Sequence, residues 1–309
     1  MSPAEAVDRP TAVVETVPAS VLVRTIGRTD LLRLCLESLV RCRPRASELL
    51  VVDQSGGTAV ATLVEELAGS GARRVPCAER GRALALNIGL RAAAYDLVLV
   101  TDDDCTVAHD WTGLGYGYMV EEPRGIVTGR VLPGGDAGAV PSTRADSAPR
   151  VWTGELHFGA LYTGNMACDR REALAVGGFD ERIKPAAEDN DFCYRWLRAG
   201  KPLRYQPDLT VWHHEWRSRE DLERWYVDYA RSQGIFYAKH LRLGDLRMLR
   251  WIAYDAFAGL RGTAARLVLG RPRWSDAAQG IPAGLPRGLL EGWRIFASAR
   301  GTVGTAGKG

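Results

Sequence analysis

The sequence lacks the cysteine patterns and long apolar runs that mark several protein classes. Its six cysteines include no Cys-x-x-Cys pair and no cysteine–histidine spacing of a zinc site. Their scatter predicts reduced thiols and a cytoplasmic protein. No apolar run approaches the ~20 residues that cross a bilayer. We also expect no signal peptide, because Glu5, Asp8 and Glu15 interrupt the first twenty residues.

The chain also lacks a strong net charge. Its formal charge of +3 over 309 residues is too small to indicate nucleic-acid binding. The charge is unevenly distributed, since residues 241–309 contain eleven Arg or Lys against four Asp or Glu, a net of 11 − 4 = +7. The preceding 240 residues therefore carry 3 − 7 = −4. A composition of 46% hydrophobic and 25% charged residues is ordinary for a globular enzyme.

An apolar segment that ends in three adjacent carboxylates is the most informative feature present. Residues 97–101 read Leu-Val-Leu-Val-Thr and predict a buried strand, followed directly by Asp102, Asp103 and Asp104. Ligands of open α/β sheets bind outside the carboxyl ends of the strands. Because clustered carboxylates repel one another unless a cation or solvent relieves them, the triplet predicts a site for Mg²⁺ or Mn²⁺ and a diphosphate. A solvated acidic turn is the alternative.

Strands and helices alternate through the first half of the chain. Predicted strands at 19–25, 48–53, 74–76 and 97–101 are separated by helical patterns at 31–40, 58–68 and 81–94. This order predicts βαβ units and a mainly parallel sheet. Residues 133–150 are rich in Gly, Pro, Ser and Ala and predict a mobile loop that could act as a lid.

A second acidic cluster, Glu188-Asp189-Asn190-Asp191, opens another predicted helix. Carboxylates are favoured there as caps, which accounts for one or two of them but not for all three. A carboxylate near a metal–phosphate site can also act as a general base. This cluster therefore predicts base catalysis beside the first one.

Histidines and arginines complete the set of candidate residues. His213 and His214 follow a predicted strand, where they could pack in the core or contribute one ligand to the ion. Arg80 and Arg82 precede a helix N-terminus, a position that suits an anion, although a solvated basic turn is equally compatible. Asn87 lies inside that helical pattern and faces either solvent or a ligand.

Taken together, these segments resemble the family 2 glycosyltransferases, bacterial-type inverting enzymes with the GT-A fold. The resemblance covers roughly residues 19–216, and no single motif in it is decisive. The order of six motifs carries it: residues 21–28 (VLVRTIGR), 49–55 (LLVVDQS), 80–87 (RGRALALN), 97–105 (LVLVTDDDC), 164–167 (GNMA), and 178–181 (GFDE) with 188–191 (EDND).

The resemblance implies a role for each matching residue. Asp102 and Asp104 would contact the ribose and the divalent metal, with Asp103 as an alternate, and His213 or His214 would complete the metal or diphosphate contacts. Asp189 would be the general base, oriented by Glu188 and Asp191. The remaining contacts to the nucleotide sugar would come from Thr25, Arg28, Asp53, Arg80, Asn87, Gly164 and Asn165. Two departures from the family pattern are Gln54, where a second acid is common, and Arg24 before Thr25.

The resemblance implies an inverting, metal-assisted transfer from a nucleotide-diphosphate sugar to an acceptor hydroxyl. The acceptor would be a carbohydrate, a lipid-linked molecule or a small molecule, and the alternatives are a sugar-phosphate nucleotidyltransferase or a non-catalytic binding module. We expect a flexible tail (1–18), a GT-A catalytic domain (19–219, halves about 19–110 and 111–219) and a basic helical extension (220–309). The extension would pack on the domain or dock on an anionic membrane surface, at the inner face of the cell membrane.

Overall fold

The computed structural model describes residues 15–135, 140, 143–155, 157–214, 219–269 and 277–297. Order begins earlier than the predicted end of the tail at residue 18. The first strand starts at Thr16, because Thr16 and Val17 pair with Arg45 and Ala46 of the next strand and Val17 is buried. Residues 1–14 of the predicted tail lie outside the described residues.

The described residues form nine strands and nine α-helices in a mixed α/β order. The strands are β1 (Thr16–Thr25), β2 (Arg45–Asp53), β3 (Ala72–Pro76), β4 (Leu97–Asp102), β5 (Cys105–Val107), β6 (Ile126–Pro133), β7 (Arg150–Trp152), β8 (Asn165–Asp169) and β9 (Leu203–His213). The helices are α1 (Thr29–Val40), α2 (Ala59–Glu66), α3 (Arg82–Ala92), α4 (Trp111–Glu121), α5 (Arg170–Ala175), α6 (Glu188–Arg198), α7 (Arg219–Arg242), α8 (Met248–Leu269) and α9 (Ala277–Ile295).

One sheet joins all of these strands in the order β3-β2-β1-β4-β8-β6-β9-β5, with β7 also paired to β9. The first four strands are parallel, as the βαβ pattern predicts. β8 runs antiparallel between β4 and β6, and β6 pairs parallel with β9. The parallel arrangement places the ends of β1, β2 and β4 at one edge of the sheet, where Asp53 and the Asp102–Asp104 triplet lie.

Successive residues of a strand point to opposite faces of the sheet. Because these strands are apolar at consecutive positions, both faces are covered by packed helices. Val21 and Val23 of β1 pack in a layer with α1, α2 and α4, whereas Leu22 packs with α3 and α6 on the other face. The segment predicted as a loop at 133–150 contains Arg144, which forms an isolated bridge with Val131 of β6, and Arg150, the first residue of β7. Residues 136–139 and 141–142 of that segment lie outside the described residues.

Helices α7, α8 and α9 form the C-terminal extension and pack chiefly on one another. Helix α9 spans Ala277–Ile295 even though it contains Pro282 and Pro286. Glycines recur at every fourth position and bring its backbone against α7: Gly280, Gly284, Gly288 and Gly292. Within the described ranges, no helix is both long enough and apolar enough to cross a membrane.

Candidate active site

A cavity of about 510 Å³ opens at the edge of the sheet where β1 and β4 end. Its walls come from the first turn after β1, the acidic triplet, the start of α3, the segment before α6, and α7. The lining residues are Arg24, Ile26, Arg28, Gln54, Arg80, Gly81, Arg82, Asp102, Asp104, Tyr162, Lys184, Pro185, His213, Trp225 and Arg231. Six of these are arginine or lysine, so the cavity is suited to an anionic ligand.

The three aspartates of the triplet face different partners. Asp102 pairs with Arg24 at 2.8 Å. Asp103 is fully buried, accepts a 2.6 Å hydrogen bond from the Thr25 hydroxyl and pairs with Arg28, so neither Asp103 nor Thr25 lines the cavity. These two residues instead fasten the end of β1 to the triplet. Arg28 lines the cavity and also lies 3.0 Å from Asp104.

Asp104 and His213 provide the best-arranged metal-ligand pair. His213 Nε2 lies 3.5 Å from Asp104 Oδ1, and both residues are buried at the cavity wall. Burial by itself raises the pKa of Asp104, but His213 and the nearby Arg28 and Arg24 lower that pKa overall. The carboxylate is therefore ionised and ready to bind a cation.

Cys105 and His214 are poorer candidates as ligands. The Cys105 thiol joins Asp104 and His213 in a cluster whose ligand atoms lie within 4.8 Å of one another, but burial raises the pKa of this thiol well above its usual range. A protonated thiol is a weak ligand for a hard cation. His214 hydrogen-bonds to Thr106 at 3.0 Å and does not line the cavity, so His213 is the histidine at the site.

Arg82 connects the second acidic cluster to the cavity. Its Nε lies 3.0 Å from a carboxylate oxygen of the buried Glu188, and its guanidinium lies 5.9 Å from the Trp225 ring. Asp189 is half-buried and is not among the residues that line the cavity. Burial and the neighbouring charge of Glu188 raise the pKa of Asp189 to about 7, against a smaller opposing effect of Arg82.

Asp191, the third predicted acid of this cluster, points away from the cavity. It is fully buried and accepts hydrogen bonds from Arg195 at 2.8 Å, from Lys239 at 2.6 Å and from His240 at 2.9 Å. These partners lie on α6 itself and on α7. Asp191 therefore ties the two helices together rather than orienting Asp189.

Asn87 was predicted to contact the nucleotide, but its side chain is enclosed by the chain itself. Its amide donates to the Phe179 carbonyl and to Glu181, both at 2.8 Å, and its carbonyl accepts from the Phe179 amide at 2.8 Å. Asn87 thus holds the loop that follows Gly178. That role uses both amide protons and one of the two lone pairs of the carbonyl oxygen.

Asn165, the predicted wall of the sugar site, is also a buried structural residue. Its amide donates to the carbonyls of Arg130 at 3.0 Å and Leu209 at 2.8 Å, and its carbonyl accepts from Trp111 at 2.9 Å. Asn165 therefore joins β8 to β6, β9 and α4. The neighbouring Gly164 lies directly behind the cavity wall, because a Cβ at that position would come within 2.9 Å of an Asp102 carboxylate oxygen.

After β2, the cavity wall is formed by Gln54 and not by the predicted Asp53. Asp53 accepts hydrogen bonds from the Ser55 amide at 2.8 Å and from Arg74 at 2.7 Å. Although burial raises its pKa, these two donors lower the pKa below its usual range. Arg80 lines the cavity, and its contact with the nucleotide stays a prediction.

Several lining residues carried no recognisable signal in the sequence. Tyr162 and Lys184 lie in irregular segments, and Trp225 and Arg231 lie on α7, within the part of the chain predicted to be an appendage. The Tyr162 hydroxyl lies 3.4 Å from His213 Nδ1. Only the folded arrangement brings these residues to the ends of β1 and β4.

The chain is similar to known glycosyltransferases in both sequence and fold. Residues 20–162 match the family model described as glycosyl transferase family 2. This part of the chain is similar to a family 2 glycosyltransferase domain. The chain is also 28% identical over 208 residues to the pre-mycofactocin glycosyltransferase of two Mycobacterium tuberculosis strains. That alignment covers 62% of this chain but only 43% of the relative, so the chain spans less than half of the relative's length.

Solved structures confirm the GT-A fold that the sequence predicts. The mannosyltransferase PcManGT from Pyrobaculum calidifontis, in complex with GDP-Man and Mn²⁺, has a TM-score of 0.58 at 20% identity, covering 91% of this chain and 87% of that one. S. aureus TarS 1–349 in complex with UDP-GlcNAc also has a TM-score of 0.58, at 16% identity over 72% of this chain and 66% of its own. These similarities establish the α/β architecture with C-terminal helices.

Proposed function

We propose that this protein is an inverting glycosyltransferase that moves a sugar from a nucleotide-diphosphate sugar to an acceptor hydroxyl with the help of Mn²⁺ or Mg²⁺. The juxtaposition of Asp104 and His213 in an arginine-lined cavity at the end of β4 carries this proposal. The family 2 domain and the nucleotide sugars named with the solved relatives support it. The match to a named glycosyltransferase points to the same activity.

The donor atoms present suit the proposed ion. A carboxylate oxygen of Asp104 and an imidazole nitrogen of His213 are ligands that Mn²⁺ accepts, and such ions commonly take their remaining ligands from phosphates and water. Asp102 is paired with Arg24, and it also lines the cavity, where it would contact the donor. When bound, the ion would supply positive charge against the diphosphate that departs from the sugar.

The cavity's own cations would share that task. Arg28 lies beside Asp104, and Arg80 and Lys184 are exposed at the rim of the cavity. Preorganised positive groups near a developing negative charge lower the barrier more than solvent would. These side chains would hold the donor diphosphate and stabilise it as the sugar–phosphate bond breaks.

Asp189 would take the proton from the acceptor hydroxyl. Its pKa of about 7 allows it to be ionised at neutral pH while remaining basic enough to accept a proton. Attack from the side of the sugar opposite to the diphosphate would invert the anomeric centre. Glu188, paired with Arg82, would keep the helix N-terminus and Asp189 in position.

The acceptor and the cellular location of the protein are also part of this proposal. We propose a carbohydrate, a lipid-linked molecule or a small molecule as the acceptor, as predicted from the sequence; the mycobacterial relative is a pre-mycofactocin glycosyltransferase. A cytoplasmic protein with peripheral contact to the inner face of the membrane is the location that we propose. The surface available for that contact is described below.

Calorimetric titration with UDP, GDP and dTDP, each with and without Mn²⁺, tests the proposal. We expect one diphosphate to bind in a metal-dependent way, and Asp104→Asn to abolish the metal dependence. Asp110→Asn, the same change at an exposed aspartate outside the cavity, should leave binding unchanged. Weak binding of all three nucleotides, insensitive to metal and to Asp104→Asn, would contradict the proposed metal-dependent donor site.

A further inference from the structure

Helix α8 presents a continuous apolar face to solvent. At about 100° per residue, its exposed apolar positions fall on one side of the helix and cover nearly half of its circumference. Exposure is high even for the largest side chains, reaching 59% for Phe257, 69% for Leu260 and 81% for Leu267. The positions on this face are Leu249, Ala253, Tyr254, Ala256, Phe257, Leu260, Ala264, Leu267 and Val268.

The opposite face of α8 is already packed inside the molecule. Gly259 and Gly262 lie against Ile281 and Ala278 of α9. Asp255 accepts a 2.7 Å hydrogen bond from the Tyr237 hydroxyl of α7. The helix is therefore held by its inner face, and the outer apolar face is not needed to fix it in the fold.

The charges around the apolar face are of one sign. Arg250 and Arg261 are exposed near one side of this face, between Phe257 and Tyr254 around the helix, and Asp255, the acid that α8 carries, is turned inward to Tyr237. The wider segment from residue 241 to the end carries a net charge of +7. A wide apolar face bordered by arginines is the pattern of a helix that lies in the plane of an anionic lipid surface.

We propose that the outer face of α8 docks on an anionic membrane surface. Phe257 and Leu260 would enter the boundary between headgroups and acyl chains, and Arg250 and Arg261 would contact anionic headgroups. Self-association through this face would instead bring arginines of like charge together, with no exposed acid on the described part of α8 to offset them. The inference rests on the membrane contact in the proposed function and identifies the surface that makes it, whereas its test does not depend on the donor and acceptor chemistry.

Co-sedimentation with vesicles tests this proposal on the full-length protein. We expect binding at low salt to vesicles of equal parts phosphatidylglycerol and phosphatidylcholine, and little binding to phosphatidylcholine alone or at high salt. Phe257→Ser with Leu260→Ser should lower the partition coefficient by about tenfold or more. Arg250→Gln and Arg261→Gln should each lower it by about fivefold and reduce the salt dependence.

Matched variants elsewhere on the surface provide the controls. Val120→Ser removes a side chain that is 58% exposed on α4, and Arg41→Gln removes an exposed arginine after α1; neither should change vesicle binding. Thermal unfolding and donor titration of the α8 variants should match wild type, because the changed side chains are exposed. No sedimentation of wild type with the anionic vesicles, or undiminished sedimentation of the Phe257/Leu260 variant, would overturn the proposal. A lipid-independent dimer that the same variant dissociates would also overturn it and identify a contact between copies.

Discussion

Asp189 and Asp191 lie two residues apart on the first turn of α6, and their carboxylates meet opposite surroundings. Asp189 is next to the negative Glu188, and burial adds to that repulsion, so its pKa rises to about 7. Asp191 is also buried, but Lys239, His240 and Arg195 surround it and lower its pKa. Because successive helical residues point about 100° apart, one turn supplies both a proton acceptor and an anchor. The two roles follow from neighbours that are distant in sequence.

Replacing Asp189 by Asn should therefore reduce turnover and leave donor binding intact. The amide keeps the size of the side chain but cannot accept the acceptor's proton, which typically costs ~10²–10⁴-fold in rate. Steady-state kinetics together with donor titration on the same preparation measure the two effects separately. Turnover equal to that of wild type would remove Asp189 from the mechanism, and Asp110→Asn is the matched control.

The turnover number kcat should also fall at low pH, because the proposed base Asp189 must be ionised. Below about pH 7 this carboxyl is protonated and cannot act as a base, so kcat should fall as pH decreases and level off above pH 7. Stability has the opposite dependence, because a raised pKa favours the folded state at low pH and that contribution is lost as pH rises toward 7. A kcat profile between pH 5 and 9 checks the first point. A profile for Asp189→Asn with the same inflection would assign it to another group.

At the level of elements, the close approach of α7 and α9 depends on glycine. A Cβ at Gly288 would lie 1.8 Å from the Arg231 carbonyl oxygen, and one at Gly284 would lie 2.3 Å from the Val227 carbonyl oxygen. Side chains at these positions would force the helices apart. Since Trp225 and Arg231 reach the cavity from α7, the spacing of this helix pair also sets one wall of the candidate site.

Gly288→Ala should thus destabilise the protein, by about 1–3 kcal/mol, although alanine is the better helix former. Gly117→Ala on α4 is the matched control, because nothing lies within 4 Å of its Cβ position. That variant should gain about 0.5–1 kcal/mol from the helix preference alone. Urea unfolding measures both changes. Equal effects of the two substitutions would show that α7 and α9 are less tightly packed than described.

Sequence patterns predicted those helices and strands whose local residue preferences agree with their burial and contacts in the fold. β2 and β4 are apolar runs followed by acids. The predicted end of β2 at Asp53 coincides with the observed one, and the predicted end of β4 at residue 101 lies one residue before the observed end at Asp102. The bounds of α9 could not be predicted from the sequence, because two prolines and regular glycines disfavour a helix locally, and contacts with α7 and α8 override that preference. Asn87 and Asn165 were assigned to ligands because a buried amide that completes the fold looks the same in sequence as one that binds a substrate.

For the molecule as a whole, the C-terminal helices form part of the same structural unit as the cavity. The predicted boundary at residues 219 and 220 falls at the start of α7, and that helix supplies Trp225 and Arg231 to the cavity wall. Lys239 and His240 of α7 pair with Asp191. The division of the catalytic domain into nucleotide and acceptor halves stays a prediction.

A fragment that ends at residue 214 should therefore fail to reproduce the candidate site. Removal of α7–α9 takes Lys239 and His240 away from Asp191 and leaves Arg195 as its remaining partner in α6, so the link between α6 and the C-terminal helices is lost. We expect the fragment to lose the cooperative thermal transition of the full chain and to bind no donor nucleotide. Calorimetric scanning checks the first expectation, and a sharp transition with intact nucleotide binding would contradict both.

The position of β8 has a consequence for the order in which the chain can fold during its synthesis. β4 and β6 leave the ribosome first but do not pair with each other, because β8 comes between them with register contacts to both. The parallel strands β1–β4 can assemble early, whereas the remainder of the sheet must wait for Asn165–Asp169 and then for β9. The edge of β4 that faces β8 is accordingly unpaired in the nascent chain. Pairing with β8 removes this aggregation-prone edge before His213, Trp225 and Arg231 are available to complete the cavity wall.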